Sequence, residues 1–413
     1  MSDSKAETGA KTEADVVIVG GGLAGGLLAL ALHNRVPDCR FVLLDAGDSL
    51  GGNHRWSWFT SDLEDAATDL LSAFPLNAWD EGYEIHFPRY GRTLPTSYRS
   101  MASEDFHKVL MATLPQGSVR LGTSARELDA NGVTLEDGSR IDAKRVIDCR
   151  TFTSSENLAG GWQVFLGQHI RTDQPHGLTR PVIMDATVDQ VAPYGNGAAY
   201  RFVYVLPLAE DEVFIEDTYY ADHAKMDKDQ LWSRTQNYAR ANGLTGEVIG
   251  HETGILPVVS GGNFDAVLDE LRIPGVAIAG SRGGFSHPLT SYTLPFAADN
   301  ALAIADLLAR APETTGEDLA RFCETRARAH WQSMSFYRTL VRMLFEAADP
   351  EQRVVVLQRF YGLSGPLVER FYAGDSSLAD KVRILTGKPP VAITRAMRAL
   401  FSPGIPLSTE KPA

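Results

Sequence analysis

The sequence predicts an α/β protein: a Rossmann-type nucleotide-binding domain, an antiparallel-sheet domain set into it, and a helical C-terminal region. Three observations carry this. A short β-branched run at 16–19 turns through glycines into an apolar helix. Runs rich in Val, Ile, Phe and Tyr, bounded by Gly, Pro and acidic turns, fill the middle of the chain. From about residue 311 the apolar residues recur three and four apart, the helical period.

Length and charge narrow the functional classes. The 413 residues, 44% of them hydrophobic, suffice for one large or two ordinary domains with real cores. A formal charge of -13 argues against a nucleic-acid partner, which needs clustered Lys and Arg. The charge is uneven: from Arg321 onward 14 Lys and Arg stand against 8 Asp and Glu, so the acid lies in the preceding body. Cys39, Cys149 and Cys323 form no CxxC pair, so neither a disulfide framework nor a zinc or other metal site is expected, and a reducing cytoplasm fits. Residues 1–14 lack the apolar core of a signal peptide and read as a flexible terminus. The apolar run 16–32 approaches membrane-spanning length, but five glycines interrupt it.

Those glycines have a better explanation. Gly20, Gly22 and Gly25 form GxGxxG between strand and helix: the first permits the turn, the second admits a pyrophosphate, and the third lets helix and strand pack closely. A second strand, "CRFVLLDAG", ends at Asp45, about twenty residues on, where a carboxylate accepts from an adenosine ribose. This motif does not decide between FAD and NAD. Next, 118–151 reads as short strands with turns at Asn131-Gly132 and Asp137-Gly138. The four runs "GWQVFLGQHI", "PVIMDATVDQ", "AAYRFVYVLPL" and "EVFIEDTYY" follow, the last two a hairpin joined across 207–212. A late strand, the loop Gly280-Ser281-Arg282-Gly283-Gly284 and a helix over about 294–308 complete the body.

The last run contains an acid pair. Strand alternation sends Phe214, Glu216 and Thr218 to one face and Ile215, Asp217 and Tyr219 to the other, so each face receives one carboxylate. Burial against Phe214 and Tyr204 would raise a glutamate by roughly 2 to 3 pH units, making a protonated acid available near neutrality. The competing expectation is a solvated strand edge, or pairing of both acids with Arg201.

The order of these elements resembles the flavin-hydroxylase fold, which implies FAD. Gly280, Ser281, Gly283 and Gly284 stand where that fold directs a loop at the flavin, with Ser281 replacing a frequent Asp. More specifically, the chain resembles bacterial lycopene β-cyclases over nearly its full length. The matching stretches are "GGNHRWSWF" (51–59), "PVIMDATVDQ" (181–190), "YRFVYVLPL" (200–208), "FIEDTYY" (214–220), "RGGFSHPLTSYTLP" (282–295) and "VRILTGKPPV" (382–391). Arg55, Trp58, Leu289 and Ser291 differ from the Thr, Phe, Thr and Gly frequent there.

The resemblance implies ring closure at the ends of lycopene with no net redox change. It makes Glu216 the principal acid and Asp217 its assistant or the holder of its network, with the reverse still open. Reduced FAD, primed by NAD(P)H, is the implied cofactor, although no second GxGxxG is present. Trp56, Trp58, Phe285, His287 and Tyr292 are candidate substrate residues, and His54 and His287 candidate bridges to flavin or base. A redox flavoenzyme acting on an isoprenoid and a carotenoid-binding flavoprotein remain alternatives.

The implied domains are 15–60, 100–152 and 255–310 for FAD, 61–99 and 153–254 for substrate, and 311–413 as a helical, membrane-facing region. A forty-carbon hydrocarbon, at about 0.8 kcal/mol per buried carbon, must be drawn from a bilayer. Peripheral attachment to the inner face of the cell membrane is therefore expected, with "SMSFYRTLVRMLFEAA" and "VAITRAMRALF" as candidate contacts through Arg338, Arg342, Arg395 and Arg398.

Overall fold

The computed structural model describes residues 14–152, 154–194, 197–387 and 391–407. The expected terminus 1–14, apart from Ala14, and Lys388 to Pro390 of the 382–391 stretch lie outside the described residues. The strand Val16–Val19 is central in a parallel sheet of five, flanked by Phe41–Leu44 and Val119–Arg120 on one side and by Val146–Asp148 and Val276–Ile278 on the other. All four residues of the first strand are buried, as a parallel sheet covered by helices requires. The helix Leu23–Arg35 packs against the late helix Leu294–Arg310, so distant parts of the chain close one core.

The antiparallel platform is larger. Its main path runs Gly246–Gly262, Ser155–Thr172, Glu212–Ala221, Gly197–Pro207, Val182–Asp185, Tyr83–Phe87, Tyr90–Leu94. The first strand of this path continues to Gly262, so residues 255–262 belong to this sheet and not, as their sequence grouping implied, to the nucleotide half. A small sheet of Arg55–Phe59, Tyr98–Ala102 and Asn77–Trp79 straddles the expected boundaries near 60 and 100.

C-terminal helices cover one end of the platform. Arg353, 1% exposed, fastens them: its guanidinium donates to the carbonyl of Tyr220 at 2.9 Å and to Asp222 at 2.9 Å, and lies 4.5 Å from the ring centre of Phe345. The helix Ser335–Arg342 is part of this packing, with Tyr337, Arg338 and Val341 buried. None of the large apolar side chains of this candidate membrane helix is among the exposed ones, in contrast to the second candidate, where Ile393, Met397 and Phe401 are exposed. Among the described residues no helix is long and apolar enough to cross a membrane.

Candidate functional site

One cavity of about 720 Å³ runs from the glycine turn to the acid strand, so the nucleotide end and the platform share a single chamber. At the first end, Gly20 has φ +104°, a conformation L side chains rarely adopt. A Cβ at Gly25 would lie 2.0 Å from the Gly20 carbonyl oxygen, whereas one at Gly22 would meet nothing within 4 Å. Thus Gly25 serves close packing and Gly22 borders open space at the helix N-terminus, the arrangement a pyrophosphate needs. Asp45 accepts from the backbone N–H of Gly21 at 2.6 Å and of Gly47 at 2.7 Å, and it too lines the cavity.

The late loop contributes unevenly. Gly280 and Ser281 line the chamber, but Gly283 and Gly284 do not. Gly284 is the left-handed cap of a short 3-10 turn, tight against Phe264, and so shapes the loop from behind. Arg282 turns away to Asp148, 3.1 Å from its carboxylate.

At the other end, the acid strand divides its carboxylates as alternation requires. Glu216 lines the cavity, where the Thr218 hydroxyl donates to its Oε1 at 2.7 Å. Burial, then the negative charge of Glu252, pushes its carboxyl up to about 8, against the pull of Thr218. Asp217 is 0% exposed on the opposite face and does not reach the chamber. It accepts from Arg201 Nε at 2.6 Å and from the Tyr219 hydroxyl at 2.8 Å, and Tyr219 in turn accepts from Arg234 at 2.8 Å. Burial holds this carboxyl above its ordinary value, against the pull of Arg201, whose guanidinium Nε stands 2.6 Å away as its charged partner. Only Asp217 therefore pairs with Arg201.

Sheet register explains the chemistry around Glu216. Tyr204, Glu216, Gly167 and Glu252 occupy one row across four strands. Cross-strand partners share a face, so Glu252 enters the same chamber about 10 Å of backbone away. Between them Gly167 leaves room for an aromatic ring: a Cβ there would lie 2.1 Å from Phe214 Cζ. Glu252 was not a candidate from sequence; a single Glu between Gly250 and Gly254, with no acid partner nearby, gave no signal beyond polarity in a strand. It is held by the backbone N–H of Arg55 at 3.1 Å and faces His54 Nδ1 at 3.1 Å. His54 thus bridges to an acid, one from a distant strand.

Aromatic candidates also separate. Trp56, Phe285 and Tyr292 line the chamber. Tyr292 joins a chain of phenols with Tyr98 at 2.9 Å, and Tyr98 with Tyr204 at 3.0 Å; burial raises all three well above the ordinary tyrosine range, so this wall is neutral. Trp58, 2% exposed, packs into the nucleotide core away from the chamber. His287 is wholly buried between Tyr337 and Phe371, and burial pushes it down to about 3, so it is a neutral packing residue outside the chamber. Ser291, at the cavity wall, has φ 57° and donates to the Pro257 carbonyl at 2.8 Å, a bond that offsets the strained backbone.

The lycopene cyclase protein family matches residues 15–398. The chain belongs to the lycopene cyclase family. A lycopene beta-cyclase from Pseudescherichia vulneris is 43% identical over 389 residues, covering 94% of this chain and 97% of that relative. One from Pantoea ananas is 39% identical, covering 94% and 98%. Among solved structures, p-nitrophenol 4-monooxygenase from Pseudomonas putida DLL-E4 superposes with a TM-score of 0.59 at 16% identity, covering 89% of this chain and 99% of that one. An FAD-containing monooxygenase from Photorhabdus luminescens gives 0.52 at 14% identity, covering 83% and 99%. These likenesses show the fold, which is of the flavin-hydroxylase kind.

Proposed function

We propose that the protein closes the acyclic ends of lycopene into β-ionone rings, through γ-carotene to β-carotene, by acid/base chemistry with no net redox change. Family membership supports the substrate and the reaction class. The mechanism rests on one observation: the carboxyl of Glu216, its proton affinity raised by burial and by Glu252, lines the aromatic end of a chamber that begins at the glycine turn.

Glu216 donates a proton to the terminal double bond, and the next double bond attacks the tertiary cation to form the ring C–C bond. One ring proton then leaves, so the composition of the hydrocarbon is unchanged. The carbon that gains a proton and the carbon that loses one are both bonded to the same ring carbon, so one carboxyl group spans them. Asp217, on the far face, therefore acts as a positioning residue through its network. Thr218 steadies the carboxylate, and Glu252 favours its reprotonation. Phe165, Phe202, Tyr204 and Tyr220 exclude water and present neutral π faces to a cation, each contributing about 0.5 to 2 kcal/mol.

FAD fits the cradle: the turn at Gly20 and Gly22 would take its pyrophosphate, Asp45 its ribose, and Gly280 and Ser281 the portion nearer the chamber. When bound and reduced by NAD(P)H, it supplies electron density beside the cationic centre. Substrate is drawn from the inner face of the membrane by peripheral contact.

The test is anaerobic incubation with lycopene in liposomes, FAD and NADPH, followed by carotenoid separation and a count of NADPH oxidised. We expect β-carotene of unchanged mass, with many turnovers per NADPH. A product of altered mass formed in step with NADPH would make the protein a redox flavoenzyme and refute the scheme.

A further inference from the structure

Two consecutive helices near the C-terminus face the wrong way for water. In Leu378–Leu385 the side chains of Leu378, Val382 and Leu385 are 79%, 52% and 52% exposed. In and just beyond Ile393–Leu400, Ile393, Met397 and Phe401 are 67%, 49% and 82% exposed. Spacings of three and four residues place each trio on one helix face. The inward faces are anchored by polar contacts. Arg370 holds Asp380 at 2.7 and 2.8 Å, and Arg359 donates to the Ile384 carbonyl at 3.2 Å. Arg395 holds Asp349 at 2.7 Å through both of its terminal nitrogens. The apolar stripes are therefore held outward.

Both helices are anchored to one support. Asp349 caps the helix Pro350–Tyr361 and Arg359 lies in its last turn, about 15 Å along the axis. Val355, between them on that helix, is itself 52% exposed.

Charge selects the occupant. Over residues 376–407 there are five Lys and Arg and a single acid, Asp380, which Arg370 already holds. Lys381, Arg383 and Arg398 have no ion-pair partner among the described residues. A second copy of this chain would bring like charges together, whereas a bilayer with anionic headgroups accepts both the apolar stripes and the cations between them.

We infer that the helices Leu378–Leu385 and Ile393–Leu400 form the surface by which the protein docks on an anionic bilayer, Leu378 and Phe401 entering it deepest. This deepens the peripheral contact proposed above and replaces the buried helix Ser335–Arg342 as its seat. Tyr372, which lines the chamber, lies six residues before Leu378 in the chain.

The test is sedimentation of the full chain with carotenoid-free vesicles of phosphatidylcholine, with or without phosphatidylglycerol, comparing wild type, Leu378→Glu/Phe401→Glu and the control Met111→Glu, a 45% exposed site on another helix. Because both targets are largely exposed, the variant should fold, and circular dichroism checks it. Expected are binding that needs the anionic lipid, a loss of at least about tenfold in the double variant, and none in the control. Equal binding by wild type and double variant overturns the inference, as does equal binding to neutral vesicles. A wild-type dimer made monomeric by the double variant overturns it in favour of a second copy. No substrate is present, so a failed cyclase assay leaves this result standing, and a failed docking result leaves the cyclase reading standing.

Discussion

The two faces of the strand Glu212–Ala221 are the instructive comparison. Adjacent carboxyls, both taken from water and both raised by burial, meet opposite neighbours. On the chamber face Glu216 finds a hydroxyl, aromatic rings and another acid, and is pushed up to about 8. On the far face Asp217 finds Arg201, Tyr219 and, through Tyr219, Arg234 on the helix Lys228–Ala241. Burial raises both carboxyls; what differs is the neighbour, an acid that adds to the rise at Glu216 and a guanidinium that opposes it at Asp217. One face turns a carboxyl of raised proton affinity to the chamber; the other ties the strand to its neighbour and to a helix.

The largest effect should come from breaking the first face. Glu216→Gln keeps the shape but cannot release a proton, and turnover should fall by about 10²- to 10⁴-fold with flavin binding intact, measured as β-carotene formed per flavin. Loss of flavin binding together with turnover would instead make Glu216 structural. Asp217→Ala, which strands Arg201, should cost about 3 to 5 kcal/mol in denaturant unfolding. Were it to lower turnover with stability unchanged, the division of labour between the faces would be wrong.

Acidity sharpens the contrast. The folded Glu216 binds a proton up to about 8 and the unfolded one only to about 4.5, so the folded state holds the extra proton between them. Stability from this group is greatest below the lower value and is lost as pH rises through the window, at up to about 1.4 kcal/mol per pH unit. Asp62, buried and pushed up to about 7, adds a slope of the same sign, so the difference between wild type and Glu216→Gln isolates Glu216. Curves of equal slope would show that Glu216 is ionised in the folded protein. The smallest effect is expected at the row itself: Gly167→Ala displaces the Phe214 ring and should cost about 1 to 3 kcal/mol. It should also move the midpoint of the pH–rate profile, which overpacking far from the acid would leave in place.

The C-terminal region shows where pattern reading fails. Ser335–Arg342 and Ile393–Leu400 have the same mix of apolar residues and Arg, yet one is buried and the other displays its apolar face. Helical period identifies a stripe; only the neighbours determine whether that stripe is covered. Likewise Trp56 and Trp58, two residues apart on one strand and so on the same face, divide between chamber and core because the end of the chamber falls between them.

By itself the sequence determined what depends on local geometry. Strand, turn and helix around Gly20 to Gly25 follow from residue type and spacing, and the opposition of Glu216 and Asp217 follows from the two-residue strand period. Tertiary structure alone decided which acid faces the chamber and which meets Arg201. It also brought Glu252, 36 residues beyond Glu216, into the same row through the register of both strands with Gly167. A carboxyl's proton affinity depends on the charges and solvent within a few ångströms, and those neighbours are assembled by sheet pairing across distant segments.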